Sequence, residues 1–439
     1  MREYVSQLEN CGELLVVERE VDPHFELAAV TQASQQASER PLLFRNVRGS
    51  NIPVVTNLYG SHKRLCELIG STDGEFCPAW TKRVRAHNLP LEAIQREVQT
   101  PALVSGALSN LPLINYAERD GGPYFTSAIY LAKDPETGVP NLSFHRSMFV
   151  SDDELRVRLG SSHDLARYKV AADARDEPLE AALLIGTPTE VFLGAAASLP
   201  YQANELAVAA QIAGRPISMR KCKTIDLLVP ADTEIVVEGR FLPNTLRPEG
   251  PFGEFMGYYV PVGDNAVFEV LDVSWREGAL FHSILCGSPE DMRVLEAAIA
   301  ARIYGSLTSN LPGIVDVACK ACLLNTIVKI RPQYEGHARQ VLMAAFGTHL
   351  DYNKCCIVVD EDVNIHDLDD VMWAYLTRGR ADTRALIIPD VPGFYRDPSQ
   401  DHWGRLGIDA TKPWGREHEF ERRIVPGADG IRLEDYISH

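Results

Sequence analysis

The stretch Glu249-Gly-Pro-Phe-Gly-Glu254-Phe-Met-Gly257-Tyr-Tyr259 constrains the chain more than any other. Gly250, Gly253 and Gly257 supply φ freedom and Pro251 fixes one φ angle, so the backbone must turn tightly here. The turn holds two carboxylates near each other and leads into an apolar, aromatic segment. Carboxylates held this way repel, which pushes at least one pKa up. A carboxyl group raised toward neutrality suits a proton donor. A solvated surface turn would carry the same two acids, and the aromatic flank argues against that alternative.

A chain of 439 residues predicts two or three domains with ample core. Its 45% hydrophobic and 23% charged residues are ordinary for a globular protein. The formal net charge of −17 argues against nucleic acid or an anionic membrane as main partner, because phosphate binding needs clustered Lys and Arg. Apolar runs such as Ala181-Ala-Leu-Leu-Ile185 are too short to span a bilayer. Met1-Arg-Glu-Tyr-Val lacks the apolar core of a signal peptide. Nine dispersed cysteines, an odd number, imply reduced thiols. A cytoplasmic protein is expected.

Residues 1–100 read as a mixed α/β domain. Helical patterns at Tyr4–Leu8, Glu26–Ala33 and Ser61–Ile69 alternate with strand patterns at Gly12–Val17, Pro41–Arg45 and Ile52–Thr56. Residues 101–292 are richer in short strands: Phe125–Tyr130, Glu190–Leu193, Ile225–Val229, Glu234–Glu238 and Ala266–Val270. Helices are expected at Asp176–Leu184 and Asn204–Ala213, the second closed by Gly214. Many short strands with Gly/Pro turns suggest a barrel-like β domain with insertions. Residues 293–439 alternate again, with helices at Leu295–Ile303, Gly336–Phe346 and Asp367–Arg378. Strands are expected at Gly313–Val317, Thr326–Ile330, Cys356–Asp360 and Ala385–Ile388, and the tail after Pro392 reads as an extended arm. The fold class is therefore α/β in the broad, α+β sense.

The stretch 249–259 resembles the signature of UbiD-like decarboxylases, which use prenylated FMN. The likeness extends to Asn141-Leu-Ser-Phe-His-Arg146, to His163 and to Glu205 in Asn204-Glu-Leu-Ala207. Further matches are Pro312–Val317, Cys356–Ile365, Asp369–Ala374 with Thr377-Arg378, and Gly407–Lys412, all in the family's order. The resemblance implies a central split β-barrel that binds the flavin, and a C-terminal α/β domain that mediates dimers or hexamers. It also implies a flavin prenyltransferase as cofactor supplier and a small carboxylic acid as substrate.

Carried over residue by residue, Arg146 holds the substrate and contacts the flavin, Glu249 orients Arg146, and Glu254 delivers the proton. A guanidinium forks onto carboxylates in the manner such a network needs; standing alone, Arg146 would read as a surface ion-pair residue. Asn141, His163 and Glu205 fall on the family's metal ligands. Neutral oxygen, imidazole and carboxylate suit Mn²⁺ or Mg²⁺ on a phosphate better than a structural zinc; outside the family, His163 would be an ordinary loop residue. A second cation, K⁺, is expected near the same phosphate. Arg158, the small-residue loop Gly194–Ser198 and Arg405, where members often carry lysine, are candidate flavin contacts beside His163 and Glu205.

Decarboxylation at an sp² carbon leaves a charge that ordinary side chains cannot stabilise, so an electron-accepting cofactor has to carry it. Two rivals remain open: a plain-FMN oxidoreductase, although no GxGxxG fingerprint is present, and a non-catalytic accessory subunit. Phe255 and Met256 are expected to wall a pocket for a flat acid, whether hydroxybenzoate, heteroaromatic, acrylic or polyprenylated. Cys319-Lys-Ala-Cys322 and Cys355-Cys356 read as buried, inert thiols, and His282 as a strand residue.

Overall fold

A computed structural model describes every residue except 72–74, 85–88, 161–162, 349–351, 392, 394–403, 428–429, 432–435 and 437–439. Helices and sheets are mixed throughout, an α+β architecture. The centre is a nine-stranded sheet built on one long hairpin, Ile235–Glu249 paired antiparallel with Gly263–Arg276. Leu179–Ile185 and then Ile129–Lys133 add on one side of this hairpin. Glu154–Val157, Ser147–Ser151 and Tyr124–Phe125 add on the other, and Leu103–Gly106 pairs with the end of the hairpin. Pro140–Phe144 forms the far edge beside Ile129–Lys133.

The ladder is an open path, with no closed barrel among the described residues. It is nonetheless strongly curled. Pro140–Phe144 and Ser147–Ser151 lie six strand-to-strand steps apart, roughly 29 Å in a flat sheet at about 4.8 Å per step. Only His145 and Arg146 connect them, and three residue steps reach at most about 11 Å. The sheet therefore wraps until its two sides meet at Arg146. Tyr130 and Ser147, from opposite sides, are hydrogen-bonded across the closure at 2.9 Å. Tyr130, Phe241 and Phe268 fill the wrapped interior, with ring centroids 5.0–5.5 Å apart.

A four-stranded sheet, Leu15–Val17, Leu42–Phe44, Val54–Thr56 and Phe281–His282, covers one side. Its last strand follows the central hairpin after a short turn and joins the N-terminal region to the rest. The helix Pro289–Thr308 then leads to a five-stranded sheet in the order Ile314–Lys320, Asn325–Ile330, Cys355–Asp360, Arg405–Ala410, Ala385–Ile388. Its three central strands are parallel and its edges antiparallel. No helix among the described residues is long and apolar enough to cross a membrane.

Most expected elements form, including Glu205–Ala213 with Gly214 at φ 65° closing it. Two are exchanged. Asp176–Leu184 is not a helix: Leu179–Ile185 is a strand, buried at every position but Glu180 and flanked by partners on both sides. Its Ala- and Leu-rich composition favours a helix locally, but a strand covered on both faces reads as a continuous apolar run, which periodicity cannot distinguish. Glu190–Leu193 is not a strand: it lies in the helix Thr189–Ala195, which packs its Val191, Phe192 and Leu193 into the core. The candidate loop Gly194–Ser198 therefore begins as the end of that helix. Phe125–Tyr130 divides into two strands of the central sheet, and Ile225–Val229 turns before pairing at Leu228–Pro230. Pro392 and part of the expected arm after it, including 394–403, lie outside the described residues, and Arg405–Ala410 is an interior strand of the C-terminal sheet rather than an extended arm.

Glu290 ties these parts together. It is 1% exposed and accepts from the Asn57 and Tyr59 backbone N–H groups at 2.5 and 3.1 Å. His282 Nε2 lies 2.9 Å from Oε1, the oxygen that also accepts from Tyr59. Removing an acceptor that satisfies three buried groups is costly. Glu290→Ala is expected to destabilise the protein by about 3 kcal/mol, read as a fall of several degrees in thermal midpoint, while Glu290→Gln, which keeps one acceptor oxygen, loses less.

Candidate active site

Arg146 occupies the two-residue passage where the curled sheet meets itself. Its Nε and Nη2 donate to Glu249 Oε1 and Oε2 at 3.0 and 3.1 Å, a bidentate fork. Its Nη1 donates to Glu254 Oε2 at 2.8 Å. Burial works against the guanidinium charge, but hydrogen bonding and attraction from Glu249 overcome it, so the Arg146 pKa is raised. The two carboxylates are thus bridged by a cation, rather than facing each other alone.

Each acid is placed by different local structure. Glu249 ends the long strand Ile235–Glu249, opposite Gly263. It also accepts from the Tyr124 hydroxyl at 2.8 Å and from Asn265 Nδ2 at 3.0 Å. Glu254 stands in the turn of a miniature hairpin, Phe252–Gly253 against Tyr259–Val260. The Glu254 N–H donates to the Tyr258 carbonyl, and Gly257 closes the turn at φ 82°. Gly250, at φ 100°, lets the backbone leave the long strand for this hairpin. Phe252 packs its ring 4.5 Å from the Arg146 guanidinium carbon. Asp120 accepts from the Gly253 and Ala117 N–H groups at 2.8 and 2.9 Å and pins the segment; burial raises its pKa.

A second cluster lies on the edge strand. Asn141, Ser143 and His145 alternate and so share one face. Ser143 Oγ donates to Asn141 Oδ1 at 2.8 Å and lies 2.9 Å from His145 Nε2. Asn141 Nδ2 is 3.4 Å from Glu205 Oε1, and the Leu142 N–H donates to Glu205 Oε2 at 3.0 Å. Glu205 is buried in the first turn of its helix, and that burial pushes its pKa up to about 8. His163 precedes the helix Asp164–Asp173, and its ring centroid is 5.2 Å from that of His145. Asn141 and Glu205 therefore meet directly, while His163 joins them through His145 and Ser143.

The remaining candidates are placed less closely. The Arg158 carbonyl lies 3.2 Å from His145 Nδ1, so Arg158 adjoins the cluster, and its buried Nε has no hydrogen-bond partner. Arg405 is buried in the C-terminal sheet, which lowers its pKa. Cys319 is a buried thiol whose pKa burial pushes up to about 12, and Cys356 is buried too, whereas Cys322 and Cys355, expected to be buried, are half-buried.

Family models match nearly the whole chain. They are the N-terminal, Rift-related and C-terminal domains of 3-octaprenyl-4-hydroxybenzoate carboxy-lyase, at residues 5–84, 92–289 and 293–410. The chain belongs to the UbiD family. It is a carboxy-lyase of that family. Among its relatives, anhydromevalonate phosphate decarboxylase of Methanothermobacter thermautotrophicus is 32% identical over 430 residues, covering 93% of this chain and 96% of the relative. The UbiD-class enzyme HmfF from Pelotomaculum thermopropionicum, solved in complex with FMN, is 33% identical. It superposes with a TM-score of 0.92 over 99% of each chain. Vanillic acid decarboxylase of Sedimentibacter hydroxybenzoicus, in closed form, is 27% identical with a TM-score of 0.81, over 99% of this chain and 97% of that one.

The residues present fit what the UbiD resemblance implies. Asn141, Glu205 and His163 are oxygen and nitrogen donors grouped without a thiolate, a set suited to a hard divalent cation. No group of three or more His, Cys, Asp or Glu that could hold a metal ion occurs among the described residues, and a thiolate zinc site is not offered. Arg158 supplies a buried donor that an anion could satisfy. Sequence reasoning missed Tyr124, Asn265, Asp120, Ser143 and His145. Only the last two carried a signal, the period-two alternation after Asn141.

The network makes a stability difference measurable without substrate. Glu249→Ala leaves the buried Arg146 without its bidentate partner and is expected to cost about 3 kcal/mol. Tyr124→Phe removes one neutral donor and should cost about 1 kcal/mol. Denaturant titration of the two variants checks the order.

Proposed function

We propose that this UbiD-family carboxy-lyase performs a reversible, non-oxidative decarboxylation of an aromatic, heteroaromatic or α,β-unsaturated acid with prenylated FMN. The observation that carries the reading is one buried guanidinium shared by two carboxylates, Glu249 in a bidentate fork and Glu254 through a single bond. Bound prenylated FMN supplies the electron sink that an sp² carbon needs. In support, HmfF is solved with FMN and, in an evolved dimeric form, with prenylated FMN.

Arg146 spends three of its N–H groups on the two acids, and a guanidinium has five. The remaining two are available to a substrate carboxylate. Glu249, held by Tyr124 and Asn265, fixes the guanidinium plane. Glu254, in the turn of the small hairpin rather than in the long strand, is the proton donor to the carbon that loses CO₂. Water is kept out by the surrounding core, since Glu249 is 1% and Glu254 9% exposed.

Asn141, His163 and Glu205 would hold Mn²⁺ or Mg²⁺, which would neutralise phosphate charge together with K⁺, and Arg158 and Arg405 would be additional phosphate contacts. The wrapped central sheet acts as a split-barrel cradle between an N-terminal domain ending near 100 and a C-terminal domain beginning near 293. A cytoplasmic homodimer or homohexamer, supplied by a flavin prenyltransferase, completes the proposal. A plain-FMN oxidoreductase would turn over NAD(P)H, and an accessory subunit would release no CO₂.

Protein co-produced with a flavin prenyltransferase is expected to release CO₂ from at least one of vanillate, 3,4-dihydroxybenzoate, 2-furoate and cinnamate or their close analogues. Glu254→Gln should cut the rate by about 10² or more while the flavin stays bound. Glu205→Ala should lose the divalent ion, which metal analysis reads directly. Unchanged turnover in Glu254→Gln would remove the proton-donor assignment.

A further inference from the structure

Replacing a C–C bond to CO₂ by a C–H bond takes one proton from Glu254 in every cycle. Glu254 must therefore be recharged, yet it is 9% exposed and fixed to Arg146. The neighbouring loop between the strand Phe281–His282 and the helix Pro289–Thr308 offers a path. Cys286 Sγ in this loop lies 4.0 Å from Glu254 Oε1, the long reach of a weak S–H donor. The carboxyl group of Asp291, in the first turn of the helix, neighbours the same thiol through Gly287, the residue next to Cys286. Asp291 is held in turn by the Gly287 N–H, which donates to its Oδ2 at 2.8 Å.

The loop is seated on the hairpin that carries the acid. Gly287 takes φ +74°, and a Cβ there would come 3.1 Å from the Phe255 carbonyl oxygen and 3.2 Å from its Cα. Cys322 Sγ lies 3.5 Å from the same carbonyl. Glu254 thus cannot move far from Cys286 without disturbing both contacts.

We propose that Asp291 and Cys286 form a proton relay that recharges Glu254. This rests on Glu254 being the proton donor. In one concerted step the Asp291 O–H bond breaks as an S–H bond forms on Cys286. The original Cys286 S–H bond breaks as an O–H bond forms on Glu254. Sulfur is a neutral thiol before and after, no electrons are gained or lost, and the Asp291 carboxylate regains its proton from water. Concertedness follows from the burial that raises the thiol pKa well above its ordinary value and disfavours a thiolate.

Asp291 can hold the proton to be passed on. Burial, first, and the charge of Glu254, next to that of Glu290, push its pKa up to about 6, against the Gly287 hydrogen bond and the neighbouring Cys286 thiol. Arg146, Tyr116 and Cys322 are the other polar groups around this pair. Below about pH 6 Asp291 is protonated, its O–H faces sulfur, and the S–H is free to face Glu254. As pH rises through about 6 it ionises and draws the S–H onto itself, so a stronger, charge-assisted bond forms.

The test combines a substrate-free and a kinetic readout on the holoenzyme. The infrared S–H band of Cys286, isolated by subtracting the Cys286→Ala spectrum, is expected to shift to lower frequency as pH rises through about 6. In Asp291→Asn it should not shift. On the acid turned over in the panel above, Asp291→Asn and Cys286→Ala should each lower kcat about tenfold or more, with KM within about twofold. Cys286→Ser, whose hydroxyl can pass a proton, should recover most of the loss. A pH-independent S–H band together with wild-type kcat in Asp291→Asn overturns the relay while Glu254→Gln remains inactive. Full activity in Glu254→Gln overturns the proton-donor reading itself.

Discussion

The buried guanidinium of Arg146 organises the molecule. A cation inside a protein is costly unless paired on several sides, and the fold provides the pairing from distant parts of the chain. Glu249 comes from the end of the longest strand, Glu254 from the small hairpin beyond it, and the ring of Phe252 from between them. The sheet must wrap for this to happen, because Arg146 lies in the short passage joining strands from opposite sides of the path. Fold and site therefore depend on one closure.

A division of labour follows from the bonding. Glu249 is held by four donor contacts, two from Arg146 and one each from Tyr124 and Asn265, in a rigid strand. Such a group is suited to orient a neighbour. Glu254 has a single bond to Arg146, sits in a turn, and has a thiol and a second carboxyl group behind it. That is the arrangement a group needs if it is to give a proton away and get it back. The metal-type cluster on Asn141 stands five residues from Arg146, so the alternation of one edge strand sends ligands to one side and the guanidinium follows at its end.

Much of the site was legible because its residues sit in short, ordered motifs: Asn141 to Arg146, and Glu249 to Tyr259. The glycines and proline of the Glu249–Tyr259 stretch signalled a tight turn, and the structure places a small hairpin there whose own turn begins at Glu254. Tyr124, Asn265 and Asp120 reach the site through register and long-range packing, which no local pattern encodes. Cys286 and Asp291 were silent for the same reason. In the fold, the helix and strand assigned to Asp176–Leu184 and Glu190–Leu193 exchanged roles, because buried segments lose the periodicity that distinguishes the two. Arg405 was singled out for its charge, but its place on an interior strand of a mixed sheet could not be read from the Pro- and Gly-rich tail around it.

The central claim is that this chemistry runs on prenylated FMN held beside the Arg146 network. The most direct measurement is the absorption spectrum and released-cofactor mass of protein produced with and without a flavin prenyltransferase, together with its metal content. The account predicts prenylated FMN only in the first case, with Mn²⁺ or Mg²⁺ close to one per chain. Plain FMN, or no flavin at all, in both preparations would contradict it.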